Sequence, residues 1–378
     1  MNSPFLSTRP LQLGEMLPHN MESDWASSNL ANGQHCVIWE APRTGKSTFV
    51  NQLLLQIQKS PKHFITCQAS CYNIRSLEAL TGALANTLLR SVAHTHEDWE
   101  KHIAHLLPKN NPSLDINRRV DDSFSLHFEE DKPIDLEELM VFPSRLAEAL
   151  NQPLLLIIDS FHALLSCDAS HKSLHTLAQC WKQMPNVSFL LCGSGEVAWR
   201  ALFDARAPFS KFGERIPLDP IDSKTFVDYI VKNFAKAGRI ISKEYADMIY
   251  ARMEGHPYYI QQFAEICFTN TKGYMNDAMV EDAFEELLDM HQTSFERFCS
   301  DLSTPQLQFL HAMVDQVEQF SSAEVLHKYQ LNSSANISRI KDALEKKGVL
   351  TFVRKKPQFI DPMFKIWFKE RFCKTYWF

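Results

Sequence analysis

Glycine is scarce in this sequence, with 11 residues in 378. That excludes collagen-like and glycine-rich low-complexity chains. No apolar run reaches the ~18 residues that a membrane-spanning helix requires, so no membrane partner is expected. The first ten residues lack a charged start followed by an apolar stretch, so no secretory signal is expected. The nine cysteines are odd in number, form no CxxC pair and sit mostly inside apolar runs. They read as free core thiols of a reducing compartment, and the expected location is cytoplasmic. No Ser-His-Asp or Cys-His nucleophile arrangement occurs at readable spacing. A strong charge of one sign is also missing: the net charge is −6, which argues against a chain-wide nucleic-acid coat. The balance is uneven, however. From His291 onward thirteen Lys/Arg face nine Asp/Glu, and the rest of the chain is acidic.

What is present is a globular composition, 45% hydrophobic and 22% charged, in a chain long enough for two or three domains. Residues 35–39, 63–67, 153–159, 187–192 and 215–218 read as strands separated by helical segments. The run Pro153-Leu-Leu-Leu-Ile-Ile-Asp159 is continuously apolar, as a central parallel strand buried on both faces must be. These segments predict an α/β P-loop NTPase fold, a parallel five-stranded sheet flanked by helices. The pattern turns all-helical over 221–290, a helical lid. Three helical candidates (305–316, 322–329 and 334–347) and a hairpin over 349–359 then predict a winged-helix domain over 291–378. The first domain spans 1–220 and holds an irregular insertion over about 92–135, where His94, His96, His102 and His105 read as solvated rather than metal-binding.

The strongest motif is Glu40-Ala-Pro-Arg-Thr-Gly45-Lys46-Ser47, set between a strand and a helix, as a phosphate-binding loop requires. Its backbone amides and the helix N-terminus favour anions. Pro42, Arg43, Thr44, Gly45, Lys46, Ser47 and Thr48 are the candidate binders of ATP or ADP. Lys46 neutralises phosphate oxygens, and Ser47 places its hydroxyl on Mg²⁺. The first glycine of the GxxxxGKS pattern is here Glu40, which brings a negative charge to the loop. Asp159, at the tip of the apolar strand, is the second candidate Mg²⁺ ligand, with capping of the segment from Phe161 as the alternative. Many ATPases follow this Asp with a Glu that positions the attacking water. Here Ser160 follows, a residue without useful basicity near neutral pH, so ATP hydrolysis is expected to be slow or to use another group: Glu40, His162 or Glu196.

The chain resembles the archaeal-type P-loop ATPases found in archaea and many bacteria, close to the AAA+ and STAND classes. The resemblance rests on motifs in order. They are Asn32-Gly-Gln-His-Cys-Val-Ile-Trp39 with the Pro-Arg-Thr-Gly-Lys-Ser loop, Leu156-Ile-Ile-Asp159-Ser160-Phe161, Leu191-Cys-Gly193-Ser194, Gly255-His256-Pro257-Tyr258-Tyr259, and Phe359-Ile-Asp361-Pro362-Met-Phe364-Lys-Ile-Trp367. It implies that Ser194 senses the γ-phosphate and that Pro257 packs near the adenine. Tyr258 and Tyr259 stand where many AAA+ proteins carry a sensor arginine, which leans toward a nucleotide-held switch. Arg206 and Arg215 lie where an arginine finger would sit, with a surface salt bridge as the plainer reading.

In the tail, Arg339, Lys341, Lys346, Lys347, Arg354, Lys355 and Lys356 give the third helix and the wing a basic face that offers phosphate contacts to DNA. An intramolecular clamp, a partner protein or self-association are the alternatives. The sequence therefore predicts an ATPase or ATP/ADP-dependent switch whose nucleotide state controls a winged helix. A non-hydrolysing nucleotide-stabilised scaffold and a DNA-binding regulator stand as the competing readings.

Overall fold

The computed structural model describes residues 3–6, 9, 11, 15, 17–93, 114–118, 124–128, 136–167 and 172–376. The chain divides into two compact units. One holds residues 18–41 and 46–218, and the other holds 1–17, 42–45 and 219–378.

The first unit is built on strands β1 (Cys36–Trp39), β2 (Ile65–Ser70), β5 (Leu154–Asp159), β6 (Val187–Gly193) and β7 (Glu214–Arg215). A separate antiparallel hairpin is formed by β3 (Leu114–Arg118) and β4 (Phe124–Phe128). The five strands lie in the order β2-β5-β6-β1-β7, and every pairing is parallel. The predicted sheet is thus observed, with small shifts at its edges: β2 begins and ends later than the sequence pattern suggests, and β7 is shorter. The hairpin is the part of the expected insertion that lies among the described residues. The histidine cluster at 94–105 lies outside them.

The apolar run of β5 is explained by burial on both faces. Leu154, Leu156 and Ile158 enter one core together with Val37, Trp39, Phe189 and Leu191. Leu155 and Ile157 enter the other with Cys36, Ile38, Leu190 and Cys192. Period-2 alternation of side chains directs every second residue to the opposite core. The helices Leu77–Val92, Leu136–Ala149 and Lys172–Lys182 cover the first face. Asn20–Ala31 and Lys46–Gln58 cover the second.

The second unit is almost wholly helical. Its helix starts are written in the sequence as side-chain caps, which satisfy amides left over at a helix N-terminus. Asp222, Ser242, Asn276, Ser322 and Ser333 each accept a bond from the amide three residues on. Ser303 and Gln306 form a reciprocal capping box. The helix Asp277–Ser300 is continuous through residue 290. One apolar core runs from Phe226 and Ile230 through Phe263, Leu287 and Phe309 to Phe364 and Trp367, and Phe5 packs into it against Phe234 and Phe268. Near the end of the chain, β8 (Leu350–Val353) and β9 (Lys356–Phe359) form the expected hairpin. Arg354 and Lys355 turn it, both at positive φ (49° and 66°), the backbone that matches the twist of a two-residue hairpin.

Candidate phosphate and metal site

β1, β6 and β5 lie side by side in the sheet, so their carboxyl ends share one edge. Trp39 is in register with Gly193, and Ile158 with Leu191. This brings together three segments that the sequence placed far apart: the loop after β1 with Lys46, Asp159 at the tip of β5, and Ser194 just past β6. With strands ~4.8 Å apart, the tips of β1 and β5 are about 10 Å from each other. The helix after β1, Lys46–Gln58, packs on one face of the sheet. The helix after β6, Glu196–Phe203, packs on the other. Adjacent parallel strands whose following helices go to opposite faces open a crevice at their carboxyl ends, the preferred ligand position in such sheets.

The helix Lys46–Gln58 has no acidic residue in its first turn, so its N-terminal partial charge is left for an anion. The loop before it turns at Arg43 (φ 65°) and Gly45 (φ 98°). Gly45 is suited to this backbone, because a Cβ there is strained. Lys46 Nζ donates to the carbonyl oxygens of Glu40 (3.0 Å) and Ala41 (2.6 Å). Burial lowers its pKa, while Asp159, Cys192 and Glu40 favour the charged form. An ammonium held by two carbonyls has exchanged part of its water for protein oxygens.

Glu40, in the place of the usual glycine, does not need a left-handed backbone, since its φ is not positive. Its Oε1 accepts from the amide of Leu218 (3.5 Å) and lies 3.9 Å from Arg215. Arg215 in turn donates to the carbonyl of Trp39 (3.0 Å) and stacks over the Trp199 ring (4.5 Å to its centroid). Arg215 thus ties Glu40, the carbonyl at the end of β1 and the Trp199 ring together. Arg206 is exposed. Glu196 pairs with Arg200 four residues on, at 3.7 Å.

Asp159 is exposed, and its Oδ1 accepts from the amide of Ser160 (2.7 Å). That bond holds Ser160 at φ 54°, the left-handed entry to the short 3-10 helix Phe161–Ser166. The second carboxylate oxygen and the exposed hydroxyl of Ser47 are hard oxygen donors of the kind Mg²⁺ prefers. Among the described residues no group of three or more His, Cys, Asp or Glu is placed to hold a metal by itself. An ion here would draw its remaining ligands from water and phosphate. His162 follows in the same turn. Burial holds its imidazole below the usual range, against the pull of Asp159. Its Nδ1 is buried with no hydrogen-bond partner among the described residues, and its ring meets Trp39 edge-on at 6.2 Å.

The importance of Trp39 is not visible in the sequence. Its ring lies over Gly193, where an added Cβ would sit 2.2 Å from a ring carbon. Its Nε1 donates to the carbonyl of Gly195 at 2.9 Å. One side chain thus anchors the residues on both sides of Ser194. The clue, in retrospect, is the pair of glycines bracketing a serine at a strand end. Pro257 lies in the second unit as the first residue of the helix Pro257–Asn270, following Gly255 at φ 75°. That is the position where a proline costs a helix nothing.

The basic face of the tail is partly spent inside the unit. Lys341 lies over the rings of Phe309 and Phe320 (5.9 and 5.2 Å). Lys347 donates to the carbonyl of Asp301 at the end of a helix, and Lys356 pairs with Glu318. Arg339, Lys346, Arg354 and Lys355 make no ion pair among the described residues.

Residues 293–370 match the model of a probable winged helix domain. No curated protein matches the chain. Among solved structures, the Walker-type ATPase of Pyrococcus abyssi is similar with a TM-score of 0.69 at 15% identity, over 96% of this chain and 99% of that one. The ORC2 protein of Aeropyrum pernix, in its ADPNP–ADP complexes, is similar with a TM-score of 0.59 at 13% identity, over 97% and 96%. Its ADP form gives 0.56 at 12% identity, over 96% and 97%. No helix among the described residues is long and apolar enough to cross a membrane. At such identities the likeness speaks for the fold alone: this chain shares the fold of the Walker-type ATPase and ORC2 structures, a parallel P-loop-type sheet followed by helices and a winged helix.

Proposed function

We propose that the protein binds ATP or ADP with Mg²⁺ at the loop 42–48 and acts as a slow ATPase or nucleotide-dependent switch, its nucleotide state controlling the winged helix. The observation that carries this reading is the convergence of Lys46, Asp159 and Ser194 at the carboxyl ends of three neighbouring strands, beside a helix N-terminus free of acidic residues. In this reading Lys46 binds the β and γ oxygens, and Ser47 and Asp159 hold the metal. Ser194 meets the γ-phosphate and Pro257 the adenine. A bound Mg²⁺ would supply charge neutralisation between the phosphates. The division into a nucleotide domain (1–220), a lid (221–290) and a winged helix (291–378) belongs to the same proposal.

The non-hydrolysing reading is favoured by one specific feature. Ser160 takes the place of the usual base and sits in a left-handed turn, a backbone that costs an L-residue ~1–2 kcal/mol. Purified protein is expected to bind Mg-ATP and to turn it over far below the ~10 s⁻¹ typical of enzymes. Ser160→Glu is expected to raise turnover with binding little changed. If wild type fails to bind Mg-ATP or Mg-ADP in calorimetry, the proposal is wrong.

For the winged helix, DNA is the output that Arg339, Lys346, Arg354 and Lys355 support. With four cations available, log K for duplex DNA is expected to fall with log salt at a slope of about −3 to −4. A flat slope, or binding unchanged in the fourfold Ala variant, would point to a protein partner instead.

A further inference from the structure

The middle of the phosphate loop packs with the helical unit, through a continuous chain of hydrogen bonds. Arg43 Nη1 donates to Tyr259 Oη at 2.7 Å. Tyr259 Oη donates to Asp361 Oδ2, also at 2.7 Å. Arg43 Nη1 itself lies 3.9 Å from that carboxylate oxygen. Its guanidinium stacks over the rings of Tyr258 and Tyr259, 4.9 and 5.9 Å from their centroids. The other oxygen of Asp361 accepts from the amides of Met363 (2.9 Å) and Phe364 (3.2 Å), which starts the helix Pro362–Trp367. That helix ends in Trp367, buried and bonded through Nε1 to Gln292 at 2.7 Å. One carboxylate therefore terminates the relay from the loop and caps a helix inside the segment that matches a winged-helix domain.

The polarity of the relay is determined by chemistry. A guanidinium only donates and a carboxylate only accepts, so the phenol between them must accept from one and donate to the other. Burial, reinforced by Asp361, pushes the Tyr259 phenol well above its ordinary range, so it keeps its proton. Burial also pushes the neighbouring His256 and His291 below the usual imidazole range, and Asp361 is the carboxylate that acts on Arg43.

We propose that Arg43, Tyr259 and Asp361 form a latch through which the phosphate loop holds the winged-helix segment, and that phosphate bound in the loop releases it. The proposal rests on the nucleotide binding argued above. Guanidinium recognises phosphate by the same planar, charge-assisted bonds with which it recognises carboxylate. A polyphosphate in the loop competes for Arg43 with more charge than one Asp offers. The loop must also reshape when Lys46 leaves the carbonyls of Glu40 and Ala41, and Arg43 carries the loop's positive-φ turn two residues later.

Linkage makes the test reciprocal: if phosphate opens the latch, opening the latch must favour phosphate by the same factor. Hydrogen exchange of the amides in Pro362–Trp367 is measured on the full chain with and without saturating Mg-ADP, alongside calorimetry on the same samples. In wild type, nucleotide is expected to speed this exchange roughly tenfold, the scale of a lost charged hydrogen bond. Tyr259→Phe is expected to exchange at the faster rate without nucleotide and to respond less than about twofold to it. The same variant is expected to bind Mg-ADP several-fold more tightly than wild type, by the reciprocity above. Asp361→Asn retains an acceptor for the cap and serves as a second variant should Tyr259→Phe fold poorly. If wild type binds nucleotide but exchange in this helix is unchanged, the latch is overturned while the nucleotide function stands. If wild type binds none, both fall.

Discussion

Lys46→Ala is expected to weaken Mg-ATP binding by roughly a hundredfold, with thermal stability nearly unchanged. A charge-assisted bond to phosphate contributes about 1.5–3 kcal/mol, and Lys46 is the residue in the loop pattern that supplies it as a point charge. The ammonium is held by the carbonyls of Glu40 and Ala41. The wild-type side chain therefore moves from two neutral acceptors to charged ones. Removing it leaves those carbonyls at a half-buried loop that water can reach, so folding loses little. Titration calorimetry with Mg-ATP and a thermal melt of the same sample check both parts. A Kd within about threefold of wild type would remove Lys46 from the site, and with it the central support for the proposed function.

Gly193→Ala is expected to be the most damaging small substitution in the sheet. The added methyl would lie 2.2, 2.5 and 2.6 Å from three carbons of the Trp39 ring, closer than any carbon pair tolerates. Trp39 is 3% exposed, hemmed in by Trp199, Phe203 and His162, so it has little room to yield. Overpacking of this kind costs ~1–3 kcal/mol, and more where the neighbour is rigid. A loss of about 3 kcal/mol is expected, a drop in Tm of roughly 6–12 °C for a unit of this size. A shifted Trp39 also loses its bond to Gly195, so Ser194 should lose its position and turnover should fall further than binding. Combining Gly193→Ala with Trp39→Leu should recover part of the stability. A melt within a degree of wild type would mean that the ring swings aside freely and positions nothing.

Much of the fold was legible because it is written locally. The uninterrupted apolar run Leu154–Ile158 needs burial on both faces, and the strand it predicts is the second in the observed order, flanked on both sides. The hydroxyl of Ser333 accepts from the Asn336 amide and starts the helix Ser334–Lys346, a contact within three residues of the chain. The wing was visible as a hairpin-like segment around the basic cluster Arg354-Lys355-Lys356. The edges were less legible: β2 and β7 border the sheet, where fewer neighbours dictate which residues pair. The basic tail shows a further limit. Its seven cations look alike in sequence, but Lys341, Lys347 and Lys356 are drawn into internal contacts with rings, a helix end and Glu318.

Within the candidate site, Lys46, Ser47 and Asp159 came from motif and strand context and Ser194 from the family resemblance, and parallel pairing places their segments on one sheet edge. What Glu40 does was undecidable locally. A carboxylate in a phosphate loop reads as a liability until Arg215 and the Leu218 amide are seen to hold it.

By itself the sequence determined the α/β class, the helical and winged-helix order that follows, and a candidate phosphate loop. Period, caps and short-range spacing carry that information within a few residues. Tertiary structure alone decided that Trp39 would police Gly193 and Gly195, that Arg215 would clasp β1, and that Arg43 would reach Asp361 through Tyr259. Those partners are separated by 156, 176, 216 and 102 residues along the chain. No local pattern encodes such distances, because they are set by which strands and helices the cores bring side by side.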